Sequence, residues 1–305
     1  MARKSKQKIL GFAVETQYGV DPVTEQNPLS FVLGREFSVT PQAGESQSLE
    51  YDTGKLGNSA EVMTECYVQI EFGVDFAPGK TAGAAAPWAN LMKGCLRGVT
   101  TDAQASKTTY ALDENATGSL TFYFIQSGTL HKLTGARGSV SLSAKAKAFP
   151  TLQFKFTGLF VPVTNSVHTP PTFAEWVTPL KVGVEHSAFT IDGAPFKMIS
   201  LEYDQANAVT HQEYVGHEEV LITDFVPTAT LVIEAPALGD FDPFALAEAG
   251  SEHTLSFTNG PMGNQVGWQS TRIQFGRATY GDQDGTQTYS IPLRPLEDAD
   301  AFFNA

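Results

Sequence analysis

The sequence predicts a mainly β fold with two tandem, similar antiparallel β-sandwich or β-barrel domains, each with one short α-helix. Three observations support this prediction. The 305 residues include 27 Gly, 17 Pro and 21 Phe but only 17% charged residues, which is typical of strands joined by frequent turns. Apolar and polar residues alternate in several segments, and one pentapeptide occurs twice. Such alternation indicates sheets with one buried and one solvated face.

The repeated pentapeptide is Ser-Leu-Glu-Tyr-Asp, at residues 48–52 and again at 200–204. In each half a strand-like run containing Phe precedes it. A polar, charged stretch follows it, at 53–65 and at 205–219. A strand and a helix pattern come next in both halves. The shared order predicts an internal duplication in which the two pentapeptides occupy equivalent places.

Alternating polarity predicts the strands of each half. In the segment around Val140, Leu142 and Ala144, these apolar residues point to one face and Lys145 points to the other. The second half is shorter than the first, which predicts one hairpin fewer. The predicted strands are 67–76, 119–125, 139–147 and 152–160 in the first half, and 230–234, 271–280 and 286–293 in the second.

A short helix is predicted after the first long strand of each half, at 87–94 and at 243–250. In the second, Asp242 is a typical N-cap residue and Gly250 a typical terminating residue. In the first, apolar residues recur at helical spacing and form one face. They are Trp88, Leu91, Met92 and Cys95.

Four prolines between 161 and 181 predict a stiff, extended connection between the halves. The predicted organisation is therefore an N-terminal arm at 1–24, a first β domain at 25–160, a Pro-rich linker at 161–185 and a second β domain at 186–305.

The net charge of −13 argues against a basic surface that binds nucleic acid. The excess is confined to residues 187–305, which contain 17 acidic and 4 basic side chains. The apolar run at 9–14 is shorter than a signal peptide requires, and no segment approaches the length of a membrane span. Cys66 and Cys95 are too few for a disulfide framework. The sequence favours a soluble intracellular protein that does not bind membranes.

No catalytic, metal or cofactor site is predicted. The densest group of titratable residues contains His211, Glu213 and His217, which could supply three metal ligands. Their spacing differs from the His-Glu-x-x-His pattern of helical zinc enzymes, and Gly216 argues against a helix. A solvated loop is favoured over a metal site. Sequence patterns for phosphate loops and serine hydrolases are not met.

The segment Phe12–Pro22 contains Glu-Thr-Gln-Tyr-Gly-Val-Asp-Pro. It resembles the N-terminal arm of tail tube proteins from long-tailed, siphovirus-type bacteriophages, in which a Glu-Thr-x-Tyr-Gly-x-Asp-Pro stretch leads into the first strand. The order of elements in each half is also similar to the tail tube fold, which the tube protein of type VI secretion shares. The two halves resemble members with two fused tail-tube domains.

The resemblance implies a structural virion protein, made in the host cytoplasm, that forms homotrimeric, pseudo-hexameric rings. Stacked rings would form the tail tube, through which genomic DNA passes without specific binding. Further partners would be the tape measure, terminator and baseplate proteins. The acidic residues of 187–305 either line this channel or only solubilise the surface.

The resemblance also implies two kinds of contact residue. The arm, at residues 1–20, is expected to be loose in an isolated subunit and to dock on a neighbour. The polar stretches after the pentapeptides hold the place of the loop that joins successive rings. The arm residues are Ile9, Leu10, Phe12, Val14 and Tyr18, and the loop residues are Lys55, Glu61, Glu65, His211, Glu213, His217, Glu218 and Glu219.

Two alternatives remain open at this point. One is another virion ring of the same fold lineage, such as a tail terminator or a baseplate ring, which need not polymerise. The other is a carbohydrate-active β-sandwich protein. That function would require aromatic residues beside paired carboxylates, but Trp88, Trp176 and Trp268 are scattered along the chain.

Overall fold

The computed structural model describes residues 4–261 and 263–305, and the fold is mainly β, as predicted. The first half contains β1 (Lys8–Val14), β2 (Ser30–Phe31), β3 (Gly34–Ala43), β4 (Ser46–Ser48), β5 (Glu61–Met63), β6 (Tyr67–Asp75), β7 (Arg97–Asp102), β8 (Lys107–Leu112), β9 (Leu120–Gln126), β10 (Thr129–Lys145), β11 (Thr151–Phe160) and β12 (Thr164–Asn165). The second half contains β13 (Ser187–Ile191), β14 (Ala194–Pro195), β15 (Met198–Asp204), β16 (Asn207–Tyr214), β17 (His217–Phe225), β18 (Thr228–Glu234), β19 (Glu252–Asn259), β20 (Val266–Phe275), β21 (Thr279–Gln283), β22 (Thr286–Pro295) and β23 (Asp300–Asn304).

Each half has one short helix at its predicted place: α1 (Ala89–Met92), which continues into a 3-10 turn at Lys93–Cys95, and α2 (Pro243–Ala249). The Asp242 side chain caps α2 by accepting hydrogen bonds from the backbone N–H groups of the next turn, at 3.0 and 3.1 Å. Gly250 ends the helix in the left-handed conformation. Both helix predictions are confirmed.

Eight antiparallel strands form one continuous sheet, which we call the main sheet. Its order is β3–β6–β11–β10–β15–β18–β22–β21. The first four strands come from the first half and the last four from the second. The halves meet where β10 pairs with β15, from Ser141 opposite Asp204 to Lys145 opposite Ser200. We call this pairing the joint.

A second layer covers one face of the main sheet, and the apolar core lies between the two. In the first half β10 has an irregularity between Leu133 and Ala136, and its N-terminal part leaves the main sheet to pair with β9. Strands β9, β1 and β2 then pair in sequence. In the second half the end of β22 pairs with β20, which also pairs with β19 and β23. The arrangement fits the predicted sandwich class.

The second layer also crosses between the halves. Strand β8 pairs with β7 on one side and with β23 on the other, so the β7–β8 hairpin extends a sheet of the second half. The second half has no counterpart of this hairpin between its helix and its last hairpin, in the part of the chain that is described. Its strands there are β19 and β20, against β7, β8 and β9 in the first half.

The two pentapeptides do not occupy equivalent places, so this prediction is wrong. The first begins at the end of β4 and continues into an exposed segment, where Leu49 and Tyr51 face solvent. The second lies within β15, where Leu201 and Tyr203 are buried in the core. Five identical residues do not determine burial, which depends on the elements that surround them in the fold. Strand β3, not the first pentapeptide, holds the position that β15 holds in the second half.

The two polar stretches predicted as loops belong to β-hairpins outside the main sheet. Hairpin 1 (residues 44–65) is built on β4 and β5, and hairpin 2 (residues 205–227) on β16 and β17. Hairpin 1 connects β3 to β6, and hairpin 2 connects β15 to β18. Their polarity is consistent with two-stranded ribbons that leave much surface in water.

The arm is not loose over residues 8–14, contrary to prediction. These residues form β1 and pair with β9 along its whole length, from Lys8 opposite Gln126 to Val14 opposite Leu120. Leu10 and Phe12 are buried in the core of their own chain. An apolar strand that completes a sheet satisfies its backbone hydrogen bonds and buries its side chains together, which favours the ordered state.

One buried ion pair joins the halves. The Arg97 guanidinium on β7 lies 2.9 Å from the Asp300 carboxylate on β23, and both side chains are fully buried. Arg97 also donates to the Gln205 amide oxygen at 2.7 Å and to the Tyr203 hydroxyl at 2.8 Å. The Trp268 indole N–H donates to Asp300 at 3.1 Å. This network therefore links the second layer to β15 of the main sheet.

We predict that Asp300→Asn lowers the free energy of unfolding by about 3–5 kcal/mol, because it leaves the Arg97 charge buried without a counterion. Urea titration followed by circular dichroism measures the change. The double variant Arg97→Met/Asp300→Asn should lose less than the single variant, since no charge remains buried. An Asp300→Asn protein as stable as the native one would contradict this role.

Candidate functional site: strand edges and hairpins

The main sheet ends in two strands with one unpaired side, β3 and β21. Within residues 4–261 and 263–305, β3 pairs only with β6, and β21 pairs only with β22. An open strand edge presents rows of free N–H and C=O groups and can accept a further strand. The two edges are therefore candidate contact surfaces.

The hydrogen-bonding direction of β21 follows from its turn. The β21–β22 hairpin closes through Asp284 and Gly285, whose φ values of 53° and 82° indicate a type I′ turn, as the Asp-Gly pair favours. The flanking pair, Gln283 and Thr286, is then hydrogen-bonded, and the pairs alternate along the ladder. Tyr280 and Asp282 consequently direct their backbone N–H and C=O groups to the open edge.

Strand β3 is less regular than β21. Its register with β6 shifts between Arg35 and Ser38 and again between Thr40 and Ala43. Glu36 has a φ of 55°, and Pro41 has no N–H to donate. The regular part of this edge is therefore the short segment that ends at Thr40.

Each open edge strand has the same connectivity as one of the two strands that pair at the joint. Strands β10 and β21 are each the first strand of a hairpin, with β11 and β22 respectively. Strands β15 and β3 each lead into a projecting hairpin and pair with the strand that returns from it. The main sheet therefore ends on one side in β21, which has the connectivity of β10, and on the other side in β3, which has the connectivity of β15.

The uncovered face of the main sheet is polar, and three of its lysines are paired with glutamates. Lys145 lies 3.1 Å from Glu202, Lys155 lies 2.9 Å from Glu71, and Lys197 lies 2.6 Å from Glu234. Between them the face carries small hydroxyl side chains. They include Ser139, Ser141, Ser143, Thr228 and Thr230.

His211 joins hairpin 2 to the base of hairpin 1. The Nδ1 atom of His211 lies 2.8 Å from a Glu65 oxygen, and Nε2 lies 3.0 Å from a Glu218 oxygen. The side chain is only 2% exposed and stacks near Tyr67. Burial alone would lower the pKa of His211, but the bonds to Glu218 and Glu65 outweigh it and raise that pKa. Both ring nitrogens can donate only in the protonated ring.

The other predicted loop residues lie on the same two hairpins but do not converge on one point. His217 contacts Glu219 at 2.9 Å within hairpin 2, while Glu213 lies exposed beside its tip. Lys55 and Glu61 are exposed on hairpin 1. No group of three potential metal ligands occurs among the described residues.

The Glu15–Pro22 segment of the arm is fixed to its own chain. The Glu15 carboxylate accepts hydrogen bonds from the backbone N–H of Gly135 at 2.7 Å and from the Ser119 hydroxyl at 2.6 Å. The Tyr18 hydroxyl accepts a bond from the Val220 N–H of hairpin 2 at 2.6 Å. Val14 is half-buried at the end of β1. Contacts of these residues with another copy stay a prediction.

This combination of a long polar-faced sheet, open edges and projecting hairpins suits an assembly protein. A sequence model described as phage tail tube protein matches residues 5–294. The chain belongs to the phage tail tube protein family. No curated protein matches the sequence.

Membership identifies this tail tube protein as a structural component of the virion tail that is made in the host cytoplasm, as the Glu15–Pro22 segment implied. No helix in the described ranges is long and apolar enough to span a membrane. Sequence reasoning missed Arg97 and the two open edges. Arg97 carried no signal, because an isolated arginine in a predicted strand is ordinary, but the Asp-Gly turn could have indicated β21.

We predict that His211 stabilises the contact between the hairpins at low pH. Its pKa is raised in the fold, so the stabilisation is fully present below its unfolded value near 6.5 and is lost as the pH rises through the folded value. Relative to His211→Gln, the native protein should be more stable by roughly 1–2 kcal/mol at pH 5.5, with the difference shrinking at pH 8.

Urea titration at several pH values measures this difference. His217→Gln is the matched control, because His217 is exposed and its ion-pair partner within the described residues is Glu219 of its own hairpin. An equal, pH-independent effect of both substitutions would contradict the role assigned to His211.

Proposed function

We propose that this tail tube protein forms closed homotrimeric rings, that the rings stack into the tail tube, and that the genome leaves through the lumen. The observation that carries the proposal is the pair of open edges, β21 and β3, which correspond to the strands joined inside the chain. A β21 edge of one copy can pair with the β3 edge of the next as β10 pairs with β15. Repetition of one rotation then closes a ring.

Three copies would contribute roughly twenty-four strands to such a barrel and give it approximate sixfold symmetry. The second layer contains more strands than the main sheet contributes, and both helices as well. A layer packed inside a closed barrel has less circumference than the barrel itself. The second layer therefore belongs outside, and the uncovered polar face of the main sheet lines the lumen.

The composition of that face supports passage of DNA without specific binding. Phosphates are held by free Lys and Arg side chains through release of counterions. Here ion pairs with glutamates neutralise three lysines, Lys145, Lys155 and Lys197, and hydroxyl side chains lie between them. Several acidic residues of 187–305 lie elsewhere, including Asp300 in the core and Asp242 at a helix cap.

Stacking of rings is supported by opposite charges at opposite ends of the strands. Hairpin 1 contains five carboxylates and one lysine, and hairpin 2 contains four carboxylates and no lysine or arginine. At the other end, the turn after β10 bonds to the linker through Lys147 N–H to Val182 and Val182 N–H to Ala148. Segments 145–150 and 180–184 hold three lysines and no carboxylate. Lys145 is paired with Glu202, which leaves Lys147 and Lys181 without an ion pair among the described residues. We call these two segments the basic rim.

The hairpins of one ring would contact the basic rim of the next. At the two ends of the tube the same surfaces are free for the other tail proteins, which we propose to be the terminator and the baseplate. The tape measure protein would occupy the lumen before the genome passes.

We predict that Asp282→Pro prevents ring closure. Proline removes a backbone N–H that faces the open edge and leaves the β21–β22 bonds in place, so the folded monomer should persist. Association between copies should fall roughly tenfold or more. Analytical ultracentrifugation measures assembly, and circular dichroism checks the fold.

Asp282→Ala is the matched control, since it removes the same side chain but keeps the N–H, and it should assemble like the native protein. Rings formed equally well by the proline variant would contradict closure through β21. If the native protein forms single closed rings that never stack, a terminator or baseplate ring becomes the better assignment.

We predict that Lys147→Glu/Lys181→Glu shortens tubes while rings still form. Repulsion replaces attraction between exposed groups, and the ring-to-ring association constant should fall by roughly tenfold or more when several contacts per ring add. Negative-stain electron microscopy at low salt measures tube length, because high salt screens exposed charges.

Adding Glu61→Lys/Glu213→Lys to the rim variant reverses the charges on the hairpins and should restore length. Lys93→Glu, in the helical turn of the second layer, controls for reversal of a lysine charge outside the rim. Tubes of native length from the rim variant would show that the rim is not the stacking partner.

A further inference from the structure

The two hairpins differ sharply in burial although they hold equivalent places in the two halves. In hairpin 2, Val220 is fully buried and the His211 side chain is 2% exposed. In hairpin 1 every residue of β4 and β5 is exposed, including Val62 at 51% and Met63 at 48%. Exposed apolar residues grouped on one element indicate a surface that binds a partner.

One face of hairpin 2, around Val220 and His211, is covered because it lies against the first half of its own chain, across the joint. Arg137 on β10 donates to the Val220 carbonyl at 2.8 Å, and its guanidinium stacks over Tyr18 at 4.7 Å. His211 bonds to Glu65, at the base of hairpin 1. Hairpin 2 therefore packs against a surface formed by β10, across the joint, and by the base of hairpin 1. We call this surface the seat of hairpin 2.

The pairing inside the hairpins supports their equivalence. In hairpin 2, His211 on the outgoing strand is opposite Val220 on the returning strand. In hairpin 1, Gln47 on the outgoing strand is opposite Val62 on the returning strand. Each hairpin thus sets a valine on its returning strand opposite a polar residue on its outgoing strand.

The second half carries an unoccupied counterpart of the seat at its open edge. Arg277 precedes β21 at the end of the main sheet that bears the hairpins, as Arg137 lies on β10. It forms no hydrogen bond or ion pair within the described part of the chain. Val226, at the base of hairpin 2, is exposed, and so is Tyr280 on β21. Apolar and cationic groups are therefore open at the place where a hairpin would fit.

We infer that hairpin 1 of one copy packs on the second half of the neighbouring copy, against Arg277, Val226 and Tyr280. The inference rests on the proposed ring, in which β3 of one copy meets β21 of the next. Hairpin 1 stands beside that contact as hairpin 2 stands beside the joint. Gln47 and Val62 of this hairpin then lie at the contact within a ring, and its outer part, residues 49–61, remains free for contacts between rings.

A thiol crosslink between copies tests the placement. The bond between His211 and Glu65 has its counterpart between Gln47 of one copy and Val226 of the next. A chain with Gln47→Cys/Val226→Cys in a Cys66→Ser background should give covalent dimers and trimers on a denaturing gel after assembled rings react with a short bismaleimide. The bismaleimide replaces the length of the two removed side chains, which a direct disulfide could not span. Cys95 is fully buried, and burial raises the pKa of its thiol, which keeps it unreactive.

Two controls define the result. His211→Cys/Glu65→Cys in the same background should be crosslinked within one chain, so that it gains the mass of one crosslinker and runs only as a monomer. Gln47→Cys/Val167→Cys places the second thiol on the exposed linker and should give none. If native rings form but Gln47→Cys/Val226→Cys gives no covalent oligomer, the placement of hairpin 1 is wrong and the ring stands. If the native protein forms no ring, the proposed function itself fails.

A second measurement separates packing from folding. Val62→Ser alters a side chain that is exposed in the single chain, so the thermal midpoint of the monomer should change little. The ring should dissociate at roughly tenfold higher protein concentration, because burial of Val62 against the neighbouring copy is lost. Met63→Ser is the matched control, since Met63 follows Val62 in β5 and points to the opposite face, and its ring should dissociate like the native one. Equal dissociation of Val62→Ser and native rings would overturn the inference.

Discussion

The pairing of β10 with β15 is the constraint on which the remaining structure depends. It joins two four-stranded units into one sheet through backbone hydrogen bonds, from Ser141 opposite Asp204 to Lys145 opposite Ser200. Once that pairing exists, the open edges can only be β3 and β21, and both hairpins must project from one end. The uncovered face, the seat of hairpin 2 and the basic rim are all set by the same contact.

The side chains around Arg97 stabilise the β10–β15 pairing from inside the core. A sheet extended across two halves could bend or separate at its centre if nothing crossed the core beneath it. Arg97 and Asp300 come from different halves and meet in the second layer, while Tyr203 and Gln205 connect them to β15 and the residue just beyond it. A buried ion pair is specific in geometry because a displaced charge would remain desolvated and unpaired. The two halves are thereby held in one relative orientation.

Charge has different roles on different surfaces of the molecule. On the uncovered face, lysine and glutamate neutralise each other at short distance, so that a polyanion meets few free cations. On the hairpins the carboxylates outnumber the cations, and their field is available to a partner. The net charge of the whole chain could not distinguish these cases, since it sums over surfaces that face different neighbours.

The sequence by itself determined the β class, both helices with the Asp242 cap and, through Glu15–Pro22, the family; the Asp-Gly turn that closes the β21–β22 hairpin is equally local. These are local properties, in which a few adjacent residues decide the backbone conformation. Only the tertiary structure decided that the arm is a core strand, that Arg97 is buried, and that the pentapeptide copies lie in unrelated environments. Those outcomes depend on which distant strands pair, and burial is set by neighbours that lie far apart in the chain.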